Sequence, residues 1–144
     1  MPFDLSDLGE EFALRAACLN GAPIRDGARY VMCWLQQTLR GHDHPTIDAA
    51  VACGNRLGLP VLVYHGLRED YPHASARLHR FILGASRAMA QTLAKRGIAC
   101  AQYVDREGHR ERGLVYRLAS QAAAVFVECG TSSRPIGWAV INRP

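Results

Sequence analysis

Four short apolar runs, at residues 30–34, 61–64, 98–104 and 123–127, punctuate this chain, and a stretch with helical character separates each from the next. Unbroken runs such as Val61-Leu-Val-Tyr64 and Ala123-Ala-Val-Phe-Val127 suit strands buried on both faces of a parallel sheet. Parallel neighbours cannot be joined by a tight hairpin and need right-handed, usually helical, crossovers. The alternation therefore predicts an α/β fold: a three-layer, doubly wound, Rossmann-like sandwich with a mostly parallel sheet of four or five strands.

The connecting segments carry their own start and stop signals. Pro45 suits a first helical position, and the helix it opens runs to about Leu57, where Gly58 ends it. The longest helix falls between Pro72 and Gly97. Its apolar residues Leu78, Phe81, Ile82, Ala85, Met89 and Leu93 recur at steps of three and four, with Arg77, Arg80, Arg87 and Lys95 largely off that stripe. One face is thus expected to pack on the sheet. A further helix is predicted over 110–121. Residues 1–28 read as an N-terminal extension with a short helix over 10–19, stopped by Asn20-Gly21, and 29–144 as the α/β domain. After the fourth run, Thr131-Ser-Ser-Arg-Pro135 is a helix-start signal with about nine residues left, so the fourth strand or the packing of that helix is expected to be left exposed.

At 144 residues and 15.8 kDa the chain has room for one core. Its longest apolar run, 122–127, is far short of the roughly 20 residues that cross a bilayer, and its start is acidic where a signal peptide is basic, so a cytoplasmic protein is expected. Five cysteines, odd in number and without a C-x-x-C pair, exclude a disulfide framework and a zinc ribbon and are expected as small buried residues. Charge is uneven: residues 1–72 hold 6 Arg and 9 Asp/Glu, net −3, and residues 73–144 hold 11 Lys/Arg and 4 Asp/Glu, net +7. A basic half favours phosphate or nucleic acid. The simpler reading is a solvated helix face, since the arginines follow helical positions without aromatics between them.

Ligands of open α/β sheets lie beyond the carboxyl ends of the strands where strand order reverses. With the four runs in the order 3-2-1-4, that crevice falls between the first and fourth. It collects Trp34, Gln36, Gln37 and Arg40 from one loop, and Glu128, Cys129, Gly130, Thr131 and Ser132 from the other. No G-x-G-x-x-G follows a strand and no G-x-x-x-x-G-K-[ST] occurs, so two common phosphate cradles are absent; Gly130-Thr-Ser-Ser133 reads first as a capped turn. His42-Asp43-His44 lacks a third metal ligand in register and reads as a loop in which Asp43 or His44 caps the next helix. No Ser or Cys nucleophile stands at an elbow beside a His, so no catalytic set is assigned.

One resemblance sharpens this. Leu39-Arg-Gly-His-Asp-His-Pro-Thr-Ile47 resembles the L-R-x-x-D-[NH]-P-x-[LI] signature of the DNA photolyase and cryptochrome family. Tyr30-Val-Met-Cys-Trp-Leu-Gln-Gln37, Gly58-Leu-Pro-Val-Leu-Val63, Ala76-Arg-Leu-His-Arg-Phe-Ile-Leu-Gly-Ala85 and Arg96-Gly-Ile98 are similar to runs of the class II cyclobutane pyrimidine dimer photolyases. The resemblance covers roughly 14–138, collinear with that family's amino-terminal α/β domain. Departures fall at the fourth strand, which ends Val127-Glu128-Cys129 where the family has V-x-D, and at Ser132-Ser-Arg134-Pro, where the family is arginine-rich. The resemblance implies an antenna-type domain able to hold a light-harvesting chromophore (deazaflavin, folate or flavin) in the crevice between domains or at the sheet's carboxyl edge. It also implies that FAD, the damaged bases and the electron-transfer tryptophans belong to a helical domain outside these 144 residues. Repair is then not expected from this chain alone, and DNA is met only through the full-length enzyme. The expected partner is the missing FAD-binding domain, with Trp138, Val140 and Ile141 exposed toward it, or a second copy paired through the fourth strand. The alternative function is a stand-alone small-molecule or nucleotide-binding module without catalysis.

Overall fold

A computed structural model describes residues 5–129 and 136–139 of the chain. After a 3-10 turn at Leu5–Leu8 come α1 (Glu10–Arg15), β1 (Ala16–Cys18), β2 (Tyr30–Leu35), α2 (Pro45–Leu57), β3 (Val61–Arg68), α3 (Ala76–Lys95), β4 (Ala99–Asp105), α4 (Leu114–Ala119), β5 (Ala122–Glu128) and β6 (Ile136–Ala139). The strands form one sheet in the order β1-β6-β5-β2-β3-β4. All neighbours are parallel except β5 and β6. The α/β, Rossmann-like expectation holds, and the four predicted strands stand in the predicted 3-2-1-4 order.

Residues 31, 33 and 35 of β2 and 63 of β3 point to one face, into a core completed by Ile47, Ala49, Ala50 and Cys53 of α2 and Met89 and Leu93 of α3. The opposite face carries Met32, Tyr64, Ala122 and Val125 under Ala119 of α4. β2 and β5 are buried on both faces, which is why they read as continuous apolar runs. α2 opens with Pro45 and closes on Gly58 at φ 65, a left-handed turn that glycine makes without steric cost. Ser75 caps α3 by accepting the Leu78 amide.

Four expectations are corrected. The sheet has six strands, not four or five. The helix predicted over 10–19 stops at Arg15, and Ala16–Cys18 joins the sheet as an edge strand, so part of the presumed extension belongs to the fold. Ala16 is buried against the core and paired with Ile136, and ladder bonds with burial outweigh the helical preference of the two alanines, which amounts to under about 1 kcal/mol per residue. The fourth strand is not left open: β6 covers its outer side antiparallel, with Phe126 opposite Trp138. The last helix is six residues instead of about twelve. Residues 130–135, where a helix start was expected, lie outside the described residues, as do the Trp138 side chain, Val140 and Ile141.

The stripe of α3 is also only half used. Met89 and Leu93 are buried, but Leu78 and Phe81 are exposed, Phe81 at 73%. Phe81 stands at the edge of that stripe, about 80° around the helix from Met89, and turns away from the strands. Cys33 and Cys53 are buried as expected, Cys100 and Cys129 half-buried, and Cys18 exposed. Among the described residues no helix is long and apolar enough to cross a membrane.

Candidate functional site

The reversal of strand order lies between β2 and β5, and the loop leaving β2 is tied down there by a carboxylate. Glu128, the last residue of β5, accepts hydrogen bonds from the backbone amides of Gln36 (2.9 Å), Gln37 (2.8 Å) and Thr38 (3.0 Å). His44 Nε2 lies 3.5 Å from its Oε1 and 3.1 Å from the Thr38 carbonyl. Burial alone raises a carboxyl's pKa. The bonds from His44, the two Gln amides and Thr38 outweigh it and hold Glu128 down at about 2. Three converging amides of the kind that cradle an anion in many α/β sheets are thus filled by the protein's own carboxylate. Gly41 completes the loop's seat: a Cβ there would stand 2.8 Å from Thr92 Cβ and 3.0 Å from the Met89 carbonyl of α3.

The expected site residues fall on two sides of this tie. Gln37, Arg40, Glu128 and Cys129 line a small cleft of about 150 Å³ with Thr38 and His44. Trp34 and Gln36 line a larger cavity of about 320 Å³ on the α4 face. Gly130 lies outside the described residues. Sequence reasoning missed the rest of the larger cavity, which is drawn from Tyr64, Gly66 and Arg68 of β3, Tyr103 and Asp105 of β4, and Glu111 and Leu114 beyond it. Tyr64 and Tyr103 are two neighbouring-strand aromatics at the carboxyl ends, a signal that the predicted strand order would have exposed.

The cavity exists because α4 is short. Six helical residues span about 9 Å, roughly half the length of the strands beneath, so the carboxyl half of this face is covered only by the loop over 106–113. The Tyr103 hydroxyl fastens that loop, donating to the His109 carbonyl and accepting from the Glu111 amide at 2.7 Å. Gly66 leaves room for the neighbouring phenol, since a Cβ there would lie 2.8 Å from the Tyr64 hydroxyl oxygen. Burial, then the negative side of Tyr103, Asp105 and Glu111, pushes the Tyr64 phenol up, so it stays neutral. Arg117 pairs with Glu111, and Arg110 lies 3.6 Å from Asp105. Three aromatic rings with Gln36, Arg68, Asp105 and Glu111 around about 320 Å³ suit a flat, polar-edged small molecule.

Other candidates resolve plainly. His42 bonds Asp43 at 3.0 Å, both exposed, and His44 takes the N-cap position of α2 without a capping side-chain bond. Among the described residues no three His, Cys, Asp or Glu side chains are grouped to hold a metal ion. A polar cluster not foreseen from sequence joins buried His65 of β3 and buried Ser86 of α3 to exposed Gln102 of β4: Ser86 Oγ meets His65 Nδ1 at 2.9 Å and accepts from Gln102.

No family model matches the chain. Over 118 residues, 82% of its length, it is 30% identical to a curated protein of Methanothermobacter thermautotrophicus described as deoxyribodipyrimidine photo-lyase. The match takes in 26% of that protein, so the chain spans about a quarter of the length of the curated relative it matches. The chain thus joins a Rossmann-like sheet to a similarity, over about four-fifths of its own length, to a part of a photolyase.

Proposed function

We propose that this chain is the light-harvesting, antenna-type part of a photolyase of class II character, and that the cavity over Trp34, Tyr64 and Tyr103 is its chromophore site. The observation that carries the reading is that aromatic-lined cavity at the carboxyl ends of β2, β3 and β4, within a chain related to a photolyase over most of its length. A tricyclic chromophore such as a deazaflavin or flavin, or a pterin such as folate, offers flat faces to the three rings. Its ring N–H and carbonyl edges meet Gln36, Arg68 and Glu111. Lesion binding and electron transfer, in this reading, belong to FAD-bearing parts of a larger enzyme, and this chain by itself collects light without repairing DNA.

Titration with a 5-deazaflavin, riboflavin and folate tests the site. At least one is expected to bind saturably, quench Trp34 emission and shift its own visible band. Tyr103→Ala, which removes one ring and frees the loop, is expected to weaken that binding about tenfold or more, the loss of one aromatic contact and its preorganisation. Absence of a saturable signal with all three would sink the antenna reading.

A further inference from the structure

Arg56, Arg68, Arg96, Arg110 and Arg117 each meet a carboxylate. Arg77, Arg80, Arg87 and Lys95 have no ion pair among the described residues, and all four are exposed on α3, a 20-residue helix without a single Asp or Glu. From Arg77 to Lys95 they extend along about 27 Å of helix. Phe81 shares that surface, one residue beyond Arg80 and four beyond Arg77, and is 73% exposed. Gly84, three residues further on, leaves open space beside the ring, since a Cβ there would touch nothing within 4 Å. Arginines interleaved with an exposed aromatic are what the sequence pattern, which assigned Phe81 to the core, did not anticipate.

We propose that the outer face of α3 docks a single-stranded nucleic acid, its phosphates held by Arg77, Arg80, Arg87 and Lys95 and one base stacked on Phe81. The surface is independent of the chromophore reading, for α3 and the aromatic cavity lie on opposite faces of the sheet. A second copy does not fit it, because two such helices side by side would appose only positive charges. A polyanion does, and an unobstructed aromatic face between cations selects one whose bases are free to stack over a duplex whose bases are already stacked.

Fluorescence anisotropy of a labelled 20-nucleotide oligothymidylate tests this at 50 and 200 mM salt. Binding is expected at 50 mM. For three or four phosphate contacts, log affinity should fall against log salt with a slope of about −2 to −3. Arg80→Glu, or Arg87→Glu as a second variant, is expected to weaken binding at least about tenfold, while Arg112→Glu, an equal change of net charge elsewhere, has little effect. Phe81→Ala should weaken binding about fivefold or more and leave the salt slope unchanged, and a duplex of equal length should bind more weakly than the single strand. Three results overturn the proposal: no binding at 100 µM protein in 50 mM salt, equal losses from Arg80→Glu and Arg112→Glu, or equal binding of polyglutamate or anionic vesicles with Phe81→Ala without effect.

Discussion

Glu128 and His65 both couple the fold to pH. Glu128 has a folded pKa of about 2, below its ordinary 4.5, so it binds fewer protons folded than unfolded. Its stabilisation is complete above about pH 4.5 and is lost as the pH falls from there toward 2. Glu128→Gln keeps an acceptor for the loop amides and should cost about 1–2 kcal/mol at pH 7, whereas Glu128→Ala, which leaves the Gln36, Gln37 and Thr38 amides without their acceptor, should cost about 3. Urea unfolding at pH 7 and pH 3 checks both, and the gap between wild type and Glu128→Gln should narrow at the lower pH. His65 moves the same way at a higher pH. Burial lowers its pKa below the ordinary 6.5, against a smaller opposing pull from Glu128. Stability should therefore fall as pH drops below 6.5, because the imidazole charges more readily in the unfolded chain. His65→Gln removes the titration and should flatten that part of the stability profile.

At the scale of elements, glycines separate close approach from mere permissiveness. Gly41 sits where a Cβ would strike Thr92 and the Met89 carbonyl, so Gly41→Ala must push the β2–α2 loop off α3 and should destabilise by about 1–3 kcal/mol. Gly84 lies mid-helix with free space around it, and Gly84→Ala should stabilise α3 by about 0.5–1 kcal/mol. Thermal melts of the two variants should move in opposite directions. The same element shows how far periodicity reads. The steps of three and four between Leu78 and Leu93 correctly identify a long amphipathic helix. They do not say which residues of the stripe the sheet reaches, and Leu78 and Phe81, which the pattern places in the core, are exposed.

Over the whole molecule, stability should be graded from the middle of the sheet outward. β2 and β5 are central, flanked on both sides and buried on both faces, while β1 is three residues long at one edge and α1 buries none of its residues. Hydrogen exchange followed by mass spectrometry should find the slowest amides in 31–35 and 123–126 and fast exchange in 10–18, through local opening well below the global unfolding free energy. Slow exchange of 10–18 together with 31–35 would show a single cooperative unit instead.

Element type and face were legible in the sequence wherever an element is long enough to repeat its own pattern: β2, β3 and β5 as apolar runs, α2 from Pro45 to Gly58, and the long α3, while the 3-2-1-4 order was assumed and is what the sheet has. Trp34 and Gln36 at the candidate cavity were legible for the same reason, since the reversal of strand order points to the loop after β2. Tertiary structure alone decided the rest. β1 and β6, three and four residues long, have no periodicity to read and owe their conformation to the ladder they share. Glu128 looked like a ligand-binding carboxylate until its partners, some ninety residues away in the chain, were in place. Tyr64, Tyr103 and Glu111 became neighbours only through strand register and the shortness of α4. Local pattern encodes what a segment is, because neighbouring residues share one backbone geometry. What it touches is set by long-range pairing, whose energy no single segment carries.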